Sequence, residues 1–332
     1  MAVAFEYSNH FNDYSHVTSR LVLGVEDIDF SPLVSVIMPI YNHPDFFRKS
    51  LSSVVNQICD FEYEIIIVDN GHPEFQPKNQ GIVEKLMNAN MRYYVNNENI
   101  GGCANENRGI ELAKGKYITF CHDDDILYED ALQKLIDFKK RTGNDGSAVF
   151  GSMIKIDEND CERPSWRQFD NPLLKSTNGY KVSLYDLLFR NYTNGCGSLY
   201  LKENLLNIGG FNCDYIPCPD YALNTYYTMM FGSWAIKDKT LKYRVSLQSD
   251  TSLVYKKIIE ANRKIKEAIF SSKYICRAFP HFLIISNLSV VRYHLYSEWD
   301  NRPGSCLFYI SRVINKIWLL FLIIGKRYRA IY

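Results

Sequence analysis

Three consecutive aspartates, Asp123, Asp124 and Asp125, follow His122 and a short apolar run, Tyr117 to Cys121. Adjacent carboxylates repel one another, so such a run is costly unless it meets water or a cation. Hard oxygen donors suit Mg2+ or Mn2+, ions that commonly bridge to substrate phosphates. The bland alternative is an acidic loop that simply caps the next helix, Glu129 to Arg141. Just upstream, Gly101 and Gly102 open a helix that closes at Lys114-Gly115. The free N–H groups and macrodipole at its start favour a negatively charged ligand.

The elements that must position these groups alternate along the chain. Val34 to Pro39 is a continuous apolar run, as expected of a strand covered on both faces. After the turn Tyr41-Asn42-His43-Pro44, Asp45 can cap a helix carrying Phe47, Leu51, Val54, Val55 and Ile58 at helical spacing. Tyr63 to Val68 reads as a second strand, residues 80 to 89 as a helix, and Met91 to Val95 as a third strand. The Gly101 helix and the strand Tyr117 to Cys121 follow. This alternation predicts an α/β fold with a mostly parallel, doubly wound sheet. Ligands of such sheets bind beyond the carboxyl ends of the strands, where strand order reverses. Tyr41-Asn42, Asp69-Asn70 and Asp123 to Asp125 all fall at those ends.

Composition narrows the function classes. The 332 residues can bury a large core, and a net charge of +1 gives no reason to expect a nucleic-acid partner. Nine cysteines, odd in number and scattered, fit a reduced cytoplasmic setting better than a disulfide framework. The opening MAVAFEYSNHFNDYSH has neither a basic region nor an apolar core, so no signal peptide is expected there.

The ordered set VSVIMPIYN, YEIIIVDNG, ENIGGCANENRGIELAKGKYITFCHDDDIL and NIGGFNCDYIPCPDYAL closely resembles the family 2 glycosyltransferases. That resemblance implies a GT-A fold, Rossmann-like with helices on both faces, and an inverting reaction that uses nucleotide-diphosphate sugars with Mn2+ or Mg2+. It covers roughly residues 33 to 250, with a donor half to about 127 and an acceptor half from 128. Residues 1 to 32 then form an N-terminal extension without assigned chemistry, and 251 to 332 a helical C-terminal region. Carried over residue by residue, it implies a donor-nucleotide site of Pro39, Tyr41, Asn42, Asp69, Asn99, Gly101, Asn107 and Asp123. Asp69 would accept from a base ring N–H, which favours a UDP-sugar. Its bland alternative is a strand-end cap, and Tyr41's is a turn residue. Asp124 falls on the metal position with Asp123 beside it, and His122 and Asp125 are further candidates. His122 stands where many members have an acid. Glu106 stands where an arginine is common, and Arg108 reads as a solvated charge unless its helix turns it inward.

In the acceptor half, an apolar strand is expected around residues 145 to 157, and a variable polar loop at 158 to 180. Asn194-Gly195-Cys196-Gly197-Ser198 resembles the family's small-residue turn before the acceptor helix. Asp220 matches the family's general base, with Pro219 in place of the usual neighbouring acid. One carboxylate suffices for a single in-line displacement, since the acceptor hydroxyl must lose its proton as it attacks. Asp220 also suits the N-cap of a helix Tyr221 to Phe231, and the two roles are compatible. Where the family often has a histidine after Tyr-Arg, this chain has Ser246.

Ser252 is expected to cap a helix with Val254, Ile258, Ala261, Ile265, Ala268 and Ile269 on one face. Residues 306 to 325 hold the apolar run Ile317 to Ile324, flanked by Lys326, Arg327 and Arg329. The run is too short to span a bilayer, leaving an interfacial membrane helix or a helix packed on protein. The expected partners are therefore a nucleotide-sugar donor and a glycan or lipid-linked glycan acceptor, with peripheral contact at the inner face of the cell membrane. Two other readings compete: transfer to polyprenyl phosphate, and a non-catalytic nucleotide-sugar-binding scaffold.

Overall fold

A computed structural model describes residues 8–163, 178–189, 193–245 and 252–271. The strands are β1 (Ser19–Leu23), β2 (Val34–Ile40), β3 (Tyr63–Asp69), β4 (Met91–Asn96), β5 (Tyr117–Phe120), β6 (Ile126–Leu127), β7 (Ala148–Ile156), β8 (Gly179–Val182), β9 (Ser198–Leu201) and β10 (Ser233–Arg244). The helices are α1 (Pro44–Val55), α2 (Gln76–Leu86), α3 (Gly102–Leu112), α4 (Ala131–Thr142), α5 (Leu184–Phe189), α6 (Lys202–Asn207), α7 (Pro219–Phe231) and α8 (Ser252–Ser271).

The strands join in one sheet of order β1-β4-β3-β2-β5-β9-β7-β10-β6, with β8 also paired to β10. Strands β4, β3, β2 and β5 are parallel. The chain runs outward from β2 through β3 to β4 and then crosses back to place β5 on the other side of β2. Right-handed crossovers therefore put α1 and α2 on one face and α3 on the other. The sheet reverses between β2 and β5, and the cleft beyond their carboxyl ends is the ligand edge of such a fold. Strands β2, β3 and β5 are apolar and almost wholly buried, which explains why they lack an alternating pattern.

The acceptor half extends the sheet in mixed sense. Strand β9 is antiparallel to both β5 and β7, while β10 runs parallel to β7. Strand β10 also takes β6 and β8 as antiparallel partners.

Several boundaries depart from the sequence reading. The N-terminal stretch contains a strand: β1 pairs antiparallel with β4, Ser19 opposite Asn96. Its sequence, SRLVL, is short and carries an arginine, so periodicity alone does not mark it. Arg108 is neither solvated nor aimed at the ligand edge. It donates to Ser19 Oγ at 2.8 Å and to the carbonyls of Tyr14 and Val17 at 3.1 and 2.9 Å, tying this segment to α3. Helix α2 starts at Gln76 rather than residue 80, because Pro77 fits the first helical turn, where no N–H bond is lost. Helix α8 begins at Ser252 as expected, and Ala261, Ile265, Ala268 and Ile269 are buried. Ser246, most of the 158 to 180 loop and the candidate membrane helix 306 to 325 lie outside the described residues.

Below the sheet's other end, Glu64 and Arg92 are buried together, at 0% and 1% exposure, with Nη2 to Oε2 at 2.6 Å. Glu64 Oε1 accepts from Ser35 Oγ at 2.5 Å, from Gly115 N at 3.1 Å and from Lys114 N. Arg92 donates to Leu112 O and Tyr94 Oη, both at 2.8 Å. The pair thus fastens the α3–β5 turn to β2, β3 and β4. Helix α3 lies so close to β2 that a Cβ at Gly109 would overlap Ile37 Cγ2. Removing one member of a buried ion pair strands the other charge, so Arg92→Met should lower unfolding free energy by about 3–5 kcal/mol. Urea denaturation of Arg92→Met beside Glu64→Gln/Arg92→Met checks this: the double variant should recover part of the loss.

Candidate active site

Helix α1 builds the floor of the acidic loop through one face. Ser50, Ser53 and Gln57 recur at near-helical spacing, which aligns them. Ser50 Oγ donates to His122 O at 2.6 Å, and Ser53 Oγ accepts from Leu127 N at 3.1 Å. Gln57 donates to Tyr128 O at 2.7 Å and accepts from Leu132 N at 3.1 Å. The loop from His122 onward is thus strapped at both ends to a rigid helix.

Asp123 marks the cleft. Its Oδ2 accepts from the backbone N–H of Tyr41 at 3.3 Å, joining the carboxyl ends of β5 and β2 across the switch point. Burial and the neighbouring Asp124 push its pKa up to about 6. Asp124 is partly exposed beside it. Asp125 is fully buried, and its Oδ1 accepts from Arg244 N at 3.0 Å while Oδ2 has no hydrogen-bond partner. Burial, with Asp124 adding, raises its pKa to about 7. Burial is the larger cause in both, with Asp124 adding, and an oxygen-rich loop of this kind could hold a divalent cation at Asp123 and Asp124.

Arg244, at the end of β10, is a site residue that sequence reading passed over. Its Nε donates to Asp124 O at 2.8 Å, Nη1 to Asp157 O at 2.5 Å and Nη2 to Asp160 Oδ1 at 2.6 Å. The guanidinium also lies 4.4 Å from the centroid of the Phe46 ring. Neighbouring Tyr243 is surrounded by charge: burial first, then Asp125, Asp124 and Asp220, raise its phenol, with His122 opposing. Only the Tyr-Arg step ahead of Ser246 signalled these two.

The donor-side residues divide into those that face the cleft and those that build it. Gly101 and Gly102 are exposed at the start of α3, with Gly101 at φ +80° as its N-cap. Asn99 Oδ1 accepts from Gly101 N at 2.8 Å and so shapes this turn. Pro39 and Tyr41 are half-buried and Asn42 is exposed at the end of β2. Tyr41 meets His72 edge-on at 5.0 Å, and His72 meets Phe75 at 4.6 Å, giving a continuous aromatic ledge.

Asp69 and Asn107 do not face that ledge as open contacts. Asp69 is at 0% exposure, with Oδ1 accepting from Gly71 N and Oδ2 from Asn79 and Tyr93 at 2.9, 3.0 and 2.8 Å. Burial raises its pKa against those bonds. It braces the Gly71 turn, α2 and β4. Asn107 spends its amide on both backbone groups of Phe211, at 2.7 and 2.9 Å, and so locks α3 to the acceptor half. Asn70 is likewise internal, accepting from Asn96 Nδ2 at 2.9 Å and Ile100 N at 3.3 Å.

Asp220 lies in the first turn of α7, whose N-cap is Cys218, so its carboxylate is not the cap. A Cβ at Gly195 would come 3.7 Å from Asp220 Cβ, which sets the small-residue turn against it. Burial pushes its pKa up to about 6, with the charge of Glu106 adding and His122 opposing. Glu106 and His122, two departures from the family pattern, pair with each other: Oε1 to Nε2 is 2.9 Å. Glu106 from α3 and His122 from the β5 end thus pair, and the charges of both act on the carboxyl of Asp220 from α7.

The model of glycosyl transferase family 2 matches residues 35–201. The chain belongs to that family. As a family 2 glycosyltransferase it is 29% identical over 197 residues to an uncharacterized glycosyltransferase of Rickettsia felis, covering 58% of this chain and 31% of that one. It thus spans about a third of that relative's length. An uncharacterized glycosyltransferase of Haemophilus influenzae is 24% identical over 271 residues, covering 80% of this chain and 81% of that relative. Among solved structures, TarS of S. aureus in complex with UDP-GlcNAc aligns with a TM-score of 0.58 at 17% identity, over 79% of this chain and 72% of that one. The mannosyltransferase PcManGT of Pyrobaculum calidifontis, in complex with GDP-Man and Mn2+, aligns with a TM-score of 0.57 at 19% identity, over 93% and 83%. The fold is GT-A.

The Arg244 side chain meets the acidic loop at the carbonyl of Asp124 and braces it through Asp160, so its removal should loosen the loop without removing a candidate ligand. Arg244→Met is expected to weaken Mn2+ affinity about 10–100-fold, the usual cost of losing an outer support. Calorimetric titration of Mn2+ into wild type and variant checks this.

Proposed function

We propose that this chain is an inverting hexosyltransferase that moves sugar from a nucleotide-diphosphate donor, a UDP-sugar by preference, to a hydroxyl of a glycan acceptor. The observation that carries the reading is the Tyr41 N to Asp123 hydrogen bond across the switch point. It brings the donor ends of β2 and β5 together in the cleft that Asp220 enters from α7.

In this reading the base lies on the ledge of Tyr41, His72 and Phe75, and the diphosphate meets the exposed N–H groups at Gly101 and Gly102. Asp69 acts by positioning, since it holds the turn that carries the ledge. Asp123 and Asp124 would hold Mn2+ or Mg2+, which supplies Lewis-acid stabilisation of negative charge on the leaving diphosphate. Asp220 accepts the proton of the acceptor hydroxyl as its oxygen bonds to the anomeric carbon. The bond from that carbon to the diphosphate oxygen breaks on the opposite face, and the electron pair leaves with the nucleoside diphosphate. Configuration inverts because one displacement occurs. A pKa of about 6 serves this role: the group is ionised at neutral pH yet more basic than a free aspartate.

A lipid-linked acceptor at the inner face of the cell membrane is the setting we favour, with surface-polysaccharide synthesis as its purpose. Among the described residues no helix is long and apolar enough to cross a membrane, and the contact we propose is peripheral. Its support is the basic-flanked apolar run at 306 to 325.

Hydrolysis of UDP-, dTDP- and GDP-sugars, with and without Mn2+, tests the donor class. Release of one nucleotide that depends on Mn2+ and disappears in Asp124→Ala is the expected result. No turnover together with no nucleotide binding by calorimetry would overturn the reading. Asp220→Asn should lower kcat about 100- to 10,000-fold at little change in donor KM. The base must be ionised to act, and its pKa is raised. The kcat/KM of wild type should therefore fall about tenfold per pH unit below a limb near pH 6, where an unshifted aspartate would place it near about 4. Stopped transfer assays across pH 4.5 to about 8 read this limb.

A further inference from the structure

The Glu106–His122 pair opens onto a second cluster. The ring of His122, the carboxylate of Asp125 and the thiol of Cys196 offer ligand atoms that all lie within 4.8 Å of one another. The geometry points to a second metal site beneath the acidic loop, held by His122, Asp125 and Cys196 and suited to a borderline-soft divalent ion such as Zn2+.

Three independent features support it. First, Asp125 is at 0% exposure, and its buried Oδ2 meets no nitrogen or oxygen donor, the weak thiol donor of Cys196 being what faces this carboxylate. A carboxylate oxygen left so is expensive unless something positive meets it. Second, Glu106 Oε1 lies 2.9 Å from His122 Nε2, leaving Nδ1 for the cluster. A metal-bound histidine typically gives its other ring N–H to a carboxylate, which fixes the tautomer and strengthens the ligand. Third, the donor set is one nitrogen, one sulfur and one oxygen. Thiolate and imidazole favour Zn2+ over the Mg2+ or Mn2+ that all-oxygen sites take.

The site is separate from the one assigned to Asp123 and Asp124. Asp123 turns to Tyr41 N at the donor edge, and Asp124 is partly exposed. Asp125 and Cys196 are buried, at 0% and 4% exposure. Successive residues of the loop thus face different ways. Tetrahedral bonds to Zn2+ of about 2.0–2.3 Å place ligand atoms about 3.5 Å apart, so the cluster needs to close by about 1 Å. Cys196 is carried by the turn that bridges to Phe120 at the end of β5. A metal here would pin the acceptor-half turn under Asp220 to the strand that carries the acidic loop.

The inference does not depend on the proposed reaction, because its test needs neither donor nor turnover. Full-length protein, reduced and stripped with chelator, is titrated with Co2+. The expected result is one tightly bound equivalent with an intense near-ultraviolet sulfur-to-cobalt band. That band should survive excess Mn2+, Asp124→Ala and Cys121→Ser, and vanish in Cys196→Ser. Glu106→Gln should keep the band but weaken Co2+ binding about 10–100-fold. If Cys196→Ser loses its native circular dichroism, His122→Gln carries the test and must weaken binding at least tenfold. Absence of the band at cobalt saturation, its persistence in folded Cys196→Ser, or its displacement by Mn2+ would each overturn the second site.

Discussion

Gathering negative charge at the end of one short strand is the constraint that shapes this molecule. Strand β5 has four residues, and directly beyond it come His122 and three aspartates. Desolvation and mutual repulsion act against them together, lifting Asp123 and Asp125 far above ordinary carboxylates. The fold answers from across the sheet. Strand β10 runs twelve residues, Ser233–Arg244, and pairs with β6 at Leu241 and Leu127. That register places Arg244 at the level of Asp124 and Asp125, where its backbone and guanidinium hold the loop. Lys49 on α1 meets Asp160 at 2.5 Å, so the turn that takes Arg244 is itself tied to the helix under the loop. The acceptor half thus helps to hold the acidic loop of the donor half, and neither half explains its geometry alone.

The same economy appears on the donor side, where a chain of buried amides replaces flexible contacts. Asn96 is the hub: it accepts from Ser19 Oγ at 2.6 Å and donates to Asn70 Oδ1 and Asn105 Oδ1 at 2.9 and 2.8 Å, and Asn105 in turn donates to Val68 O. Such fully satisfied networks fix one arrangement, because any member left unpaired in a dry interior is costly. The turn that presents Gly101 and Gly102 is therefore set before any ligand arrives. Preorganised N–H groups aimed at a fixed point are what a charged ligand requires, since reorienting them during reaction would cost energy.

The parallel core was legible in the sequence because its signal is local. Apolar runs such as Val34 to Pro39 and Tyr63 to Val68 need both faces covered, and helical spacing between them dictates the crossover order. Strand-end polar residues then locate the cleft by topology alone. What stayed hidden depends on partners distant in sequence. Strand β1 is recognisable only through β4, and Arg244 only through a loop more than a hundred residues earlier. Asp69 and Asn107 show the complementary case. A motif gives residue type and place, but exposure and bonding partners decide whether a side chain faces a ligand or the protein. At 0% exposure with three internal donors, Asp69 faces the protein.

Glu106 and His122 carry the argument one step further. Taken singly, each departs from the family pattern in a direction that looks like loss: a phosphate contact gone, a carboxylate ligand gone. In space they lie 2.9 Å apart, one acid having moved from the strand end to the helix and an imidazole having taken its place. Burial disfavours the imidazolium, while Cys196 and Glu106 act the other way and carry its pKa upward. The charge balance around the loop is redistributed rather than degraded. A chain losing its function has no reason to pair its departures, because an unpaired Glu106 at 7% exposure would be destabilising by itself. The two departures compensate each other, since one bond satisfies both groups.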